Sequence, residues 1–234
     1  MMARNTNLEI LAIDAHVHGC VDRAKILALR SVDLHDAESV LEEDPGPLGI
    51  GLHPWSIDPG TLDADLVTLS GFAGSGTLAA LGETGLDRLR GPDLDLQIRA
   101  FRRHIELSEL HDLPLVVHCV RSGSDALSLR KSMKARRPWI FHGWNGSPEQ
   151  TNQILATNSV PSFGPALLDA HSKTRDLLRD LPLGAFLLET DDADIAIEDV
   201  EATAAEIRGE TVPVLRAGLH QCWSKLFDLS APAA

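Results

Sequence analysis

Short apolar runs recur along the whole chain, and each is followed by a polar loop that usually leads into a helical pattern. The runs predict eight strands, near residues 8–16, 26–32, 48–53, 78–83, 113–118, 139–142, 160–163 and 186–189. Strands that alternate with helices are typical of parallel βα units, in which both faces of the sheet are covered. Eight such units predict an α/β fold, a TIM-like (β/α) barrel.

Helical spacing of apolar residues is clearest over 94–110, where Leu96, Ala100 and Phe101 recur among charges. Further helices are predicted over 125–136, over 148–156 behind a Ser147 cap, over 174–181, and over 200–229 with a break near Pro213. The first connection, 19–25, is short for a helix, so we expect a compact barrel abbreviated at its first βα unit. The 234 residues suit a single domain over 1–234.

Composition excludes several classes of protein. Hydrophobic residues make up 44% and charged residues 24%, as in ordinary globular proteins. The formal net charge of -13 disfavours tight, nonspecific binding to duplex DNA. No apolar run is long enough to cross a membrane, and Cys20, Cys119 and Cys222 suit neither a disulfide framework nor a four-thiolate zinc site. We therefore expect a cytoplasmic protein.

Residues able to bind metal stand at the ends of the predicted strands, where barrel enzymes carry their sites. Asp14, His16 and His18 alternate along strand 1, so their side chains share one face and the two imidazoles could hold one ion. Asp14 is expected to orient a histidine from behind, although it could also bind directly. A single histidine is more often a packed or surface residue, so the prediction depends on the whole pattern.

The other strand ends complete two metal sites. Glu83 has two oxygens and is predicted to bridge the ions, while His118 and His142 offer the second ion imidazoles from adjacent strands. Asp191 would complete the first site and act as general base toward metal-activated water. The predicted ligands of two divalent ions are thus His16, His18, Glu83, His118, His142 and Asp191. Mixed nitrogen and oxygen ligands suit zinc, manganese, nickel or iron, and suit magnesium least.

Six ordered motifs carry a resemblance to a known family. They are Asp-Ala-His-Val-His (14–18), Gly-Leu-His-Pro (51–54), Gly-Glu-Thr-Gly-Leu-Asp (82–87), Pro-Leu-Val-Val-His (114–118), Phe-His-Gly-Trp (141–144) and Leu-Glu-Thr-Asp (188–191). Together they resemble the TatD-like hydrolases. The resemblance implies a TIM barrel of the amidohydrolase-like group, the same six metal ligands, and deoxyribonuclease activity, often 3′ to 5′ exonucleolytic.

Substrate contacts are predicted from the barrel rim. His53 ends strand 3 and could donate to a phosphate oxygen, and Trp144 could stack on a base or pack a loop. Arg88, Arg90 and Arg121 follow strands 4 and 5 and are candidate phosphate contacts. Many TatD-like proteins place arginine two residues after the strand-5 histidine, whereas Arg121 comes third here. Trp55 is predicted to be structural.

Three functions from different classes remain. The first is metal-dependent phosphodiester hydrolysis on DNA or a nucleotide, with the 3′ end of a strand as substrate. The second is hydrolysis of a small amide, lactone or ester at the same dinuclear site. The third, a non-catalytic binding subunit, is disfavoured because no metal ligand is missing from the motifs.

Overall fold

The structure is a computed structural model that describes residues 10–44 and 46–227. Its eight parallel strands lie side by side in chain order. They are β1 (Ala12–Val17), β2 (Ile26–Asp33), β3 (Leu48–Gly51), β4 (Ala80–Asp87), β5 (Leu115–Val120), β6 (Trp139–Phe141), β7 (Val160–Phe163) and β8 (Leu187–Leu188). All eight predicted strands are present, although residues 8 and 9 of the first prediction lie outside the described part.

The ring is completed by backbone contacts just beyond β8. The Asp191 N–H donates to the His16 carbonyl over 2.9 Å, and the His18 N–H donates to the Asp191 carbonyl over 3.2 Å. These bonds place the segment after β8 beside β1, so the sheet forms a nearly closed barrel. The prediction of a TIM-like (β/α) barrel is confirmed.

Helices surround the sheet. They are α1 (Ala37–Glu43), α2 (Leu62–Gly74), α3 (Leu94–His111), α4 (Gly123–Ser132), α5 (Pro148–Leu155), α6 (Thr174–Asp180), α7 (Ile197–Arg208) and α8 (Val212–Leu226). Ser147 caps α5 as predicted, because its hydroxyl accepts the Gln150 N–H and the Gln150 side chain accepts the Ser147 N–H. The segment 18–25 between β1 and β2 contains no helix, which confirms the abbreviated first unit.

Several boundaries differ from the sequence prediction. The sequence pattern does not predict α1 or α2. Helix α2 contains Gly71 and two β-branched residues, which lower its intrinsic helix propensity. Packing against the rest of the barrel compensates for this low propensity. Helix α4 ends at Ser132, before the predicted residue 136, because Lys134 adopts a left-handed conformation (φ 54°). The last helical region breaks at 209–211, ahead of Pro213, where Gly209 has φ 65°.

The core fills the barrel and the space beneath the helices. Its largest fully buried side chains include Trp139, Phe101, Phe141 and Phe163. Phe101 on α3 packs against Trp139 on β6 with ring centroids 5.2 Å apart, which couples the helix layer to the sheet. No helix within the described residues is long and apolar enough to cross a membrane.

Candidate metal centre and active site

The six predicted ligands meet at the carboxyl end of the barrel. Two glycines of β4 allow this, since a Cβ atom at Gly82 would collide with the Val116 carbonyl and one at Gly85 with the His118 carbonyl. Both glycines have positive φ, 123° and 142°, which favours glycine. Because β4 can approach β5 so closely, Glu83 lies directly against His118. The strand also continues to Asp87, four residues past its predicted end.

Four donor atoms form a first cluster. The Nε2 atoms of His16 and His18 are 3.1 Å apart. They lie 3.2 and 3.4 Å, respectively, from Glu83 Oε2. Asp191 Oδ1 is 3.4 Å from both imidazole nitrogens.

A second cluster surrounds the other oxygen of Glu83. Oε1 is 2.7 Å from His118 Nδ1 and 2.7 Å from His142 Nε2, and these two nitrogens are 3.1 Å apart. His53 also joins this cluster, because its Nε2 is 3.2 Å from Glu83 Oε1 and 3.4 Å from His118 Nδ1. The sequence prediction had given His53 a role in substrate binding only, and its position makes it a candidate ligand as well.

The spacing of these donors fits metal ions. Two atoms that are each about 2.1 Å from one ion are about 3.0 Å apart in an octahedral site and about 3.4 Å apart in a tetrahedral site. The imidazole nitrogens of His16 and His18 lie 3.1–3.4 Å from each other and from the carboxylate oxygens of Glu83 and Asp191, within that interval. The 2.7 Å contacts of Glu83 Oε1 are shorter, as expected of hydrogen bonds from imidazoles that hold protons.

Electrostatics of the cluster favour a cation. Burial alone would raise the pKa of Glu83, but the charges of His142 and His16 hold it well below its usual value. Hydrogen bonds with Asp191 and Glu83 raise the pKa of His18 to about 9. Burial would likewise raise the pKa of Asp191, and hydrogen bonds with His16 and His18 lower it. The carboxylates are therefore ionised, and protons on the neighbouring histidines balance their negative charge. A metal ion could replace those protons.

Polar groups behind the donors fix the ring orientations. His16 Nδ1 lies 2.8 Å from Ser31 Oγ, within hydrogen-bond distance, and its Nε2 therefore faces the first cluster. His118 Nε2 lies 3.3 Å from Asp87 Oδ2, which directs its Nδ1 toward Glu83. Asp87 was not singled out in the sequence, although it lies at the end of the motif that contains Glu83.

Asp14 has a different role from the predicted one. Its carboxylate accepts the Thr190 hydroxyl over 2.6 Å and the Thr190 N–H over 3.1 Å, and no histidine ring within the described residues bonds to it. Burial raises its pKa to about 6. Asp14 therefore ties β1 to the segment that carries Asp191 and orients no imidazole.

We expect Asp87→Ala to weaken metal binding about 10- to 100-fold, because the His118 ring loses the carboxylate that orients it. Titration of metal-free protein with manganese would measure the affinity. Asp125→Ala is the matched control, since Asp125 pairs with Arg88 at the rim and contacts no donor of either cluster. Equal affinities in the two variants would contradict the orienting role.

The predicted substrate contacts are dispersed around the rim. His53 lines the main cleft, a cavity of about 630 Å³. Arg88 is paired with Asp125 over 2.8 Å. Arg121, with φ 51°, lines a separate cavity of about 190 Å³ beside Trp144.

Trp144 lies in the core instead of the cleft. It is 3% exposed, its indole N–H donates to Thr151 Oγ1 over 2.8 Å, and its ring packs against Phe141. Of the two alternatives considered for Trp144, the structure supports loop packing over base stacking, because its ring is almost fully buried and bonded within the fold.

Residues that the sequence pattern did not connect with the site also line the cleft. Arg30, Asp33 and Asp36 come from β2 and the turn before α1, and Trp55 follows His53. His104 holds the backbone before His53 from within the core. Its Nε2 accepts the Leu52 N–H over 3.1 Å, and burial lowers the pKa of His104 to about 4. The proximity of Trp55 to His53 in the chain was the one signal that could have indicated its place.

A (β/α) barrel with histidine and carboxylate donors at its carboxyl end defines a class, the metal-dependent hydrolases. Residues 13–212 match the model of the family described as TatD related DNase. The chain belongs to this family.

Individual relatives agree with the assignment. An uncharacterized metal-dependent hydrolase from Escherichia coli, YjjV, is 29% identical over 163 residues, which cover 67% of this chain and 62% of the relative. YabD from Bacillus subtilis, also an uncharacterized metal-dependent hydrolase, is 27% identical over 73% of this chain and 68% of its own length. The alignment therefore spans less than two thirds of the first relative. The crystal structure of YjjV, a TatD homologue, superposes with a TM-score of 0.79 at 24% identity, covering 93% of this chain and 98% of that one.

Proposed function

We propose that this protein is a dinuclear phosphodiesterase, a deoxyribonuclease that removes nucleotides from the 3′ end of DNA. The observation that carries the proposal is the position of Glu83, whose Oε2 faces His16 and His18 and whose Oε1 faces His118 and His142. Ions held on both sides of one carboxylate would lie close enough to act on the same phosphate. The family description supports the nuclease assignment.

Two divalent ions would supply an activated water and stabilise the charge on the phosphoryl oxygens. Asp191 is the proposed general base. It is ionised, it lines the cleft, and its Oδ1 belongs to the first cluster while Oδ2 lies 4.0 Å from His142 Nδ1. Its carboxylate can therefore accept a proton beside the first cluster.

The charges around the cleft favour a small substrate or a strand end over a duplex. Asp33, Asp36 and Asp192 line the cleft and would repel a long polyanion. Of the proposed phosphate contacts, Arg88 is already paired with Asp125. A single terminal phosphodiester presents far less charge than a duplex, and the metal ions would compensate it.

The second candidate is hydrolysis of a small amide, lactone or ester. The carboxylates of Asp33, Asp36 and Asp192 in the cleft favour it, because they would not repel a neutral or cationic substrate. The same donor clusters and Asp191 would serve this chemistry.

The test is hydrolysis of a single-stranded oligonucleotide labelled so that 3′ shortening is visible, with manganese, zinc or magnesium added. A generic phosphodiester and a panel of amides and lactones are assayed in parallel. Stepwise shortening would support the nuclease. Turnover of the amides or lactones alone would replace it with the second candidate.

His142→Ala is expected to lower the metal content by about one ion per chain, because His142 Nε2 faces the second cluster, 2.7 Å from Glu83 Oε1 and 3.1 Å from His118 Nδ1. Elemental analysis after removal of free metal would measure the stoichiometry. His171→Ala is a suitable control, since His171 is exposed in a turn and lies outside the six motifs. An unchanged stoichiometry in His142→Ala would contradict the division into two sites.

Metal affinity is expected to rise with pH up to about 9. The raised pKa of His18 means that its ring keeps a proton below about pH 9, and an ion can bind its Nε2 only after that proton leaves. Affinity should therefore increase about tenfold per pH unit for each proton displaced. Competition with a chromophoric chelator at pH 7 and pH 8.5 would measure the change, with His171→Ala as control. A flat profile above pH 7 would show that His18 titrates at its ordinary value.

A further inference from the structure

Trp55 lines the main cleft and is partly exposed to solvent. The side chain is 46% exposed, whereas Trp139, Trp144 and Trp223 are buried. Within residues 10–44 and 46–227, it is the one aromatic among the exposed large hydrophobic side chains. Leaving half of an indole in water gives up hydrophobic stabilisation, so packing alone does not account for its place.

Hydrogen bonding holds this ring in a defined position. Its Nε1–H donates to Asp87 Oδ2 over 2.7 Å, and the same oxygen lies 3.3 Å from His118 Nε2. The His53 ring packs against the indole at right angles, with centroids 4.7 Å apart. One buried carboxylate thus connects the exposed indole to the second donor cluster.

A cation accompanies the ring. The guanidinium carbon of Arg90 lies 4.7 Å from the centroid of the indole, in a cation–π contact. Arginine and tryptophan together are suited to a planar group that carries a neighbouring phosphate, because one supplies a flat apolar surface and the other a positive charge. Trp55 and Arg90 will be called the rim pair.

We propose that the rim pair binds an unpaired terminal nucleotide, whose base stacks on the face of the Trp55 indole that Arg90 does not cover. The proposal rests on the proposed nuclease function and adds to it a residue that determines specificity for the terminal base. A base inside a duplex is already stacked and paired, so it would first have to be freed before the indole could contact it. Trp55 would then hold the base while the adjacent phosphate lies at the ions.

The experiment compares two single-stranded oligonucleotides that differ only in the residue at the 3′ end, deoxyadenosine in one and an abasic tetrahydrofuran residue in the other. The measured quantity is the ratio of kcat/KM between the two substrates, with manganese-supplemented full-length protein. Stacking is worth about 1–3 kcal/mol per base, so Trp55→Ala should lower this ratio by about 5- to 150-fold. Trp55→Phe should restore part of it, because phenylalanine keeps an aromatic face.

Trp144→Phe is the matched control, since it alters a buried tryptophan and should leave the ratio unchanged. A loss of activity in Trp55→Ala that is equal for both substrates would overturn the proposal, because it would mean that Trp55 only supports His53 and His118. An unchanged ratio would overturn it as well.

A binding measurement separates failure of this proposal from failure of the nuclease function. If the wild-type protein cleaves neither oligonucleotide, the nuclease function fails, and titration with deoxyadenosine monophosphate then tests the rim pair alone. Quenching of tryptophan fluorescence by the nucleotide, but not by deoxyribose 5-phosphate, and its loss in Trp55→Ala would support base stacking. Equal responses to the two ligands would overturn it.

Discussion

Replacing Glu83 by alanine is expected to remove bound metal and hydrolytic activity together. Both donor clusters lose their shared carboxylate, and the buried rings of His16, His118 and His142 lose the negative charge that compensates them. Breaking a buried ion pair from one side typically costs about 3–5 kcal/mol, so the free energy of unfolding should also fall. Elemental analysis, activity and thermal unfolding of the same preparation measure the three effects.

Two further variants make the Glu83 result specific. Glu83→Gln keeps the shape but replaces one oxygen by a group that does not bind metal, so one cluster should be lost even where the fold is intact. Glu201→Gln removes another buried carboxylate, which forms a 2.8 Å ion pair with Arg216 and does not line the cleft. This variant should lower stability while metal is retained. Full activity in either Glu83 variant would refute the bridging role.

Replacing Asp191 by asparagine is expected to lower kcat by about 10²- to 10⁴-fold, the range for loss of a general base. An amide oxygen can still bind an ion weakly, but it accepts no proton at neutral pH. Activity must therefore be measured over a range of metal concentrations. A deficit that persists at saturating metal supports the base, whereas full recovery would reduce Asp191 to a ligand. Asp192→Asn, a change in the neighbouring cleft residue, is the control.

These two residues show how far local pattern reaches. Glu83 and Asp191 could be singled out because each follows an apolar run in the sequence, and parallel strands of a barrel direct their carboxyl ends to one rim. Strand number and order followed from the same periodicity. Helix α2 was less evident, because its propensity is weak and its stability comes from packing.

The sequence pattern does not predict which ring nitrogen each histidine directs toward the clusters. His16 and His142 face the clusters through Nε2, whereas His118 does so through Nδ1. That choice depends on the bond between His118 Nε2 and Asp87, which exists only because β4 continues past Glu83 at a close distance from β5. The orientation of the His118 ring is set by a residue on the neighbouring strand, and the spacing of residues along the chain does not predict it.

The two tryptophans give the sharpest contrast. Sequence reasoning considered Trp144 for base stacking and Trp55 for structure, and the structure buries the first and exposes the second. Composition and periodicity indicate which strands form and which polar residues reach the rim, because those properties are local along the chain. Other features depend on contacts between segments that are distant in sequence, and only the folded barrel decides them. They are the path of each loop, the burial of Trp144 and the contact of Asp87 with the His118 imidazole.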